Sequence, residues 1–122
     1  MARDGPAIIL FGHGSRDPLW RAPLEAVAAR LAVAQPTANV RCAYLELDTP
    51  NLPVAAADLV ANGARIVRIL PMFLGTGRHA REDLPVMVKE LRLAYPEVDF
   101  DLRPAVGEDP RVVELLMRLA LE

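Results

Sequence analysis

A chain of 122 residues ordinarily makes one domain, and 52% hydrophobic residues with only 5% aromatics predict a core of Ala, Val, Leu and Ile. Its 14 basic and 16 acidic side chains are intermixed for a formal net charge of -2, which excludes the one-sided basic field of a nucleic-acid binder. Cys42 is the only cysteine, so an internal disulfide and a cysteine-cluster metal site are excluded and a reducing, cytoplasmic setting is expected.

The polar residues 1–6 lead into an apolar run over 7–11 that is too short for a signal peptide, and no stretch approaches the ~20 residues of a membrane span. The run 7–11 instead predicts a strand covered on both faces, ending at Gly12-His13-Gly14-Ser15. Asp17 and Pro18 then signal a helix start, with Trp20, Leu24, Val27, Ala28 and Leu31 on one face and Pro36 closing it. Residues 40–47 are β-rich, with Cys42, Tyr44 and Glu46 on one side of the pleat. A second helix runs from about Pro53 to Asn62-Gly63.

Residues 66–70 predict a third strand, followed by a loop over 71–77 that leads past His79 to a helix around 85–94. Val98, Phe100 and Leu102 alternate with charged residues, the pattern of an edge strand. Asp109-Pro110 opens a last helix whose buried face is expected to be Val113, Leu116, Met117 and Ala120. Four strands alternating with four helices predict an α/β, flavodoxin-like domain over residues 1–122. Its parallel sheet has the order 2-1-3-4, with the more continuously apolar first and third strands at the centre and helices on both faces.

Ligands of such sheets sit beyond the carboxyl ends of the strands at the topological switch, here between the first and third strands. Three candidate metal donors recur at that rim: Glu46 follows His13 by 33 residues and His79 follows Glu46 by another 33, about one strand-helix unit. Each histidine alone reads as a loop residue held by a hydrogen bond; the two together with a carboxylate read as a metal site. Imidazole and carboxylate suit cobalt, iron, nickel or zinc, and three protein donors leave positions open for transfer.

Arg16, Arg78 and Arg81 flank the histidines and are candidates for holding a carboxylate-bearing ligand, whereas Arg68, Lys89 and Arg92 read as solvated charge. Ser15 lacks the spacing of a base-assisted nucleophile, and Gly75-Thr76-Gly77 lacks the lysine of a phosphate loop, so no nucleotide is expected. Asp83 reads as the cap of the helix near Pro85, and Cys42 as a small packed residue. Trp20 reads as core, while Met72 and Phe73 are candidates for an apolar wall.

The segments Ile9-Leu10-Phe11-Gly12-His13-Gly14-Ser15-Arg16, Ala43-Tyr44-Leu45-Glu46-Leu47 with Pro50, and Leu70-Pro71-Met72-Phe73-Leu74 leading to Gly77-Arg78-His79 and Asp83-Leu84-Pro85 occur in one order over most of the chain. In these it resembles the short class II chelatases of CbiX/SirB type, the sirohydrochlorin cobaltochelatases and ferrochelatases of cobalamin and sirohaem synthesis. The resemblance implies a lyase in which His13 and His79 bind the metal and assist removal of pyrrole protons, Glu46 being a further ligand. It implies a tetrapyrrole substrate, sirohydrochlorin, with Ser15, Arg16, Arg78 and Arg81 as substrate contacts, and a homodimer whose second copy supplies the opposite wall of the cleft. The chain departs from the usual glycine-rich pattern at Arg78 and has no histidine-rich tail. Three alternatives stay open: a metal carrier using the same donors, a histidine phosphohydrolase, and a binding domain without turnover.

Overall fold

The computed structural model describes residues 6–122; the reading of residues 1–6 as no targeting signal falls almost wholly outside them. The β-branched and aromatic run at the start forms β1 (Ala7–Gly12), and the chain continues through α1 (Ala22–Ala34), β2 (Val40–Tyr44), α2 (Leu52–Ala61), β3 (Ile66–Pro71), α3 (Arg78–Ala94), β4 (Asp99–Leu102) and α4 (Pro110–Leu121). All neighbouring strands pair in parallel and the order is β2-β1-β3-β4, as the contrast between continuous and alternating apolar strands predicts. Leu10 of β1 stands opposite Cys42 on one side and Leu70 on the other, which fixes the register of the central pair.

Alternation of side chains divides the sheet into two unlike faces. On the first, Ile9, Phe11, Val67, Ile69 and Phe100 are buried against Leu52, Ala55, Ala56 and Leu59 of α2 and Ala80, Leu84, Val88 and Leu91 of α3. Phe11 meets Phe73 edge-on at 5.9 Å between ring centres, so Phe73 is joined to the core. On the second face α1 covers β1 and β2 through Leu24, over Leu10 and Tyr44. Over β3 and β4 that face is more open: Ile66 is exposed, and Arg68, half-buried, pairs with Asp101 at 3.1 Å.

Several boundaries differ from expectation. Pro18–Arg21 is a separate 3₁₀ turn capped by Asp17; α1 begins after it and buries only Leu24 of the expected face, while Trp20 is 37% exposed at the rim. β2 stops at Tyr44, so Glu46 lies past its end. α3 begins at Arg78, not near Pro85, because the buried stripe Ala80, Leu84, Val88, Leu91 at helical spacing outweighs the roughly 3 kcal/mol penalty of an interior proline. Gly77 is its cap residue and Asp83 lies inside it. Arg92 is not merely solvated: it donates to the Phe100 carbonyl at 2.8 Å.

α4 departs most. Asp109 caps it as expected, accepting from the Arg111 N–H at 2.8 Å, but none of its residues is buried. Val113, Leu116 and Met117, expected to be covered, are 53%, 39% and 43% exposed, because the helix packs chiefly on the 3₁₀ turn Val106–Glu108 before it. Gly107 fixes that turn: a Cβ there would lie 1.6 Å from the Leu74 carbonyl oxygen, and its N–H donates to the Phe73 carbonyl at 3.0 Å.

Phe11→Ala removes the ring at the centre of the first face and should cost about 3–5 kcal/mol of stability, measured by urea unfolding. A loss below about 1 kcal/mol would contradict this account of the core.

Candidate metal and substrate site

The site is built where β1 and β2 run out together. Beyond the last strand pair, the Leu45 N–H donates to the Gly12 carbonyl at 2.9 Å and the Glu46 N–H to the His13 carbonyl at 3.1 Å, so the two exits stay in register. Gly14 has φ +100°, and a Cβ at this position would lie 1.7 Å from the Glu46 carbonyl oxygen. Only glycine permits both the left-handed backbone and that approach. Leu47, with φ 66°, turns the second exit away immediately afterwards.

Asp48 ties the two exits to a third element. Its carboxylate, with only 8% of the side chain exposed, accepts from the Ser15 N–H at 2.9 Å and from the Arg21 guanidinium at 2.9 Å. Its partners are 33 and 27 positions away, a distance at which no local pattern signals them. Trp20 closes the same corner, its ring edge 3.1 Å from the space a Gly12 Cβ would fill and its centre 6.3 Å from that of Tyr44.

This framework holds His13 Nε2 3.1 Å from Glu46 Oε1, with the two side chains 49% and 56% exposed. Two donors bound to one ion at about 2.1 Å each, at the angles of tetrahedral or octahedral coordination, stand about 3.0–3.4 Å apart. The 3.1 Å contact is a hydrogen bond between imidazole and carboxylate; the same spacing falls within the span of two ligands of one ion, and the pair opens to solvent. His79 lies in the first turn of α3, exposed. Among the described residues no three His, Cys, Asp or Glu side chains converge, so one chain brings His13 and Glu46 together and leaves His79 outside the pair.

The flanking residues are engaged unequally. The Ser15 hydroxyl accepts from the Asp17 N–H at 3.1 Å, which makes Ser15 part of the turn. Arg78 pairs with Glu82 at 3.1 Å but is 80% exposed, an interaction worth little in water. Arg16 and Arg81 have no carboxylate partner among the described residues. Met72 is half-buried and extends the sheet through its N–H to the Phe11 carbonyl at 2.8 Å. Burial, and then the charge of Glu25, push the Cys42 thiol up, and burial followed by Cys42 pushes Tyr44 up to about 12. Both keep their protons at neutral pH, so Cys42 offers no thiolate.

Residues 7–122 match the family model described as CbiX. The chain belongs to the CbiX family. Over 117 residues this CbiX-family chain is 27% identical to the sirohydrochlorin cobaltochelatase of Saccharolobus solfataricus, covering 91% of the chain and 90% of that protein. It is 30% identical over 112 residues to the sirohydrochlorin ferrochelatase of Bacillus subtilis, covering 88% of the chain but only 41% of the relative. The crystal structure of a CbiX protein from Marinobacter aquaeolei VT8 superposes with a TM-score of 0.79 at 30% identity, covering 96% of this chain and 94% of that one.

Gly14→Ala should displace the Glu46 carbonyl and cost about 1–3 kcal/mol, and Asp48→Ala about as much by leaving the Ser15 N–H unpaired and Arg21 with only its longer 3.7 Å contact to Glu25. Thermal unfolding measures both costs. The amide resonances of His13 and Glu46 should shift in each variant; unmoved resonances would show that these contacts do not set the pair.

Proposed function

We propose that this CbiX-family chain inserts a divalent metal, cobalt or iron, into sirohydrochlorin. The observation that carries the reading is the His13–Glu46 pair, whose 3.1 Å separation matches two neighbouring ligands of one ion. The names of the relatives from Saccharolobus solfataricus and Bacillus subtilis support the substrate, and between them they leave cobalt and iron both open.

In this reading His13 and Glu46 receive the metal and leave its remaining positions open to the tetrapyrrole. His79 is the third ligand once macrocycle and metal are in place. As pyrrole nitrogens bind the metal, the displaced imidazoles accept the pyrrole protons. The chain accelerates the exchange by holding the reactants in position and providing the base. Arg16, Arg78 and Arg81 meet the carboxylates of the substrate.

The active form in this reading is a homodimer. A single rim gives the macrocycle one wall, and α4 carries Val113, Leu115, Leu116, Met117 and Leu119 exposed on a helix that the described residues leave uncovered. Soluble monomers rarely keep so continuous an apolar surface, and a second copy covers it symmetrically.

His13→Ala and Glu46→Gln should each weaken cobalt binding at least tenfold and lower absorbance-monitored insertion by about 10²–10⁴-fold. His79→Ala should lower insertion similarly while leaving cobalt binding nearly intact. A wild-type chain that binds cobalt without accelerating insertion would be a carrier, and the proposal would fall. Leu116→Glu combined with Met117→Glu should convert a dimer to a monomer by light scattering, with loss of insertion; a wild-type monomer fully active in insertion would refute the dimer.

A further inference from the structure

A recess of about 160 Å³ lies between the start of α3 and the end of β4, lined with Phe73, Ala80, Leu84 and Leu102 and bounded by Arg81 and Arg103. Arg103 has no role in the insertion step proposed for His13, Glu46 and His79. Resting on that reading, we propose that this recess is a subsite for one carboxylate-bearing arm of the tetrapyrrole, its methylenes on the apolar floor and its carboxylate between the guanidinium groups of Arg81 and Arg103.

Its place follows from the geometry of α3. Ala80 is 2% exposed and faces the core. At about 100° per residue, His79 and Arg81 leave the helix on opposite flanks of that line. Arg81 lines the recess on the β4 side, so His79 leaves on the side of β1, where His13 and Glu46 stand. A helix is about 10 Å across. A ligand centred on the histidines therefore reaches the recess with a peripheral arm and not with its ring. At about 160 Å³ the recess has room for a carboxyethyl arm and is far smaller than a whole tetrapyrrole.

The charges at the recess also suit an anion. Arg81 has no carboxylate partner among the described residues. Arg103 approaches Asp101 only to 3.9 Å, and the same carboxylate oxygen is already taken by Arg68 at 3.1 Å. A planar guanidinium so weakly engaged is available for a second carboxylate. Glu108 lines the recess as well and opposes an incoming anion, which gives the proposal a change of opposite sign to test.

The experiment titrates metal-free sirohydrochlorin into the full chain, follows its fluorescence, and measures kcat and KM for cobalt insertion alongside. Arg81→Met and Arg103→Met should each raise Kd and KM about tenfold, with kcat within about twofold and cobalt binding unchanged. Glu108→Gln should lower Kd severalfold, a gain that damage to the fold does not produce. If wild type binds and inserts while the double variant Arg81→Met with Arg103→Met binds within twofold of it, the subsite is wrong and the chelatase reading stands. If Glu108→Gln weakens binding, the subsite is likewise wrong. A wild-type chain that does not bind sirohydrochlorin overturns both.

Discussion

The carbonyl oxygen of Glu46 occupies the space where any residue other than glycine at position 14 would place its Cβ. That contact joins the exits of β1 and β2, and the rest of the site depends on it. The ladder bonds from Leu45 and Glu46 keep the exits level, Asp48 fastens them to Ser15 and Arg21, and the His13–Glu46 pair is what they hold up to solvent. The two donors are half-exposed, yet their backbone is over-determined. For the ion binding proposed at this pair, such an arrangement lowers the entropy lost without closing the coordination shell.

The two faces of the sheet do different work. The first is a continuous core in which α2 and α3 bury aliphatic and aromatic side chains from all four strands, and it supplies the stability against which a strained turn is held. The second is finished by α1 only over β1 and β2. The chain has the strand-helix alternation of a complete doubly covered sheet but spends its last helix elsewhere. The same α3 that seals the first face presents His79 and Arg81 on its opposite flanks, so one element serves both the core and the rim.

Much of this was legible in the residues. Strand order followed from the apolar continuity of β1 and β3 against the alternation in the second and fourth, although β3 keeps Ile66 and Arg68 on a half-open face. The positions of His13 and Glu46 followed from strand ends spaced one unit apart. What the pattern could not give was contact. Helical periodicity identifies the apolar side of α4 but not what covers it, so Val113 and Leu116 were expected inside and lie outside. Pro85 suggested a helix start that tertiary burial of Ala80 moved upstream by two turns. Asp48 carries no local signal, and its role depends on partners brought near only by the fold.

The tether of α4 has a further consequence. Gly107 is wedged against the Leu74 carbonyl, and Asp109 is tied twice to the Arg111 side chain beside its backbone bond to the same residue. The direction in which the helix leaves the body is thus set within the chain itself. In the proposed dimer, a surface aimed in advance meets its complement without first freezing a hinge, so encounters are governed by orientation and diffusion and not by local folding.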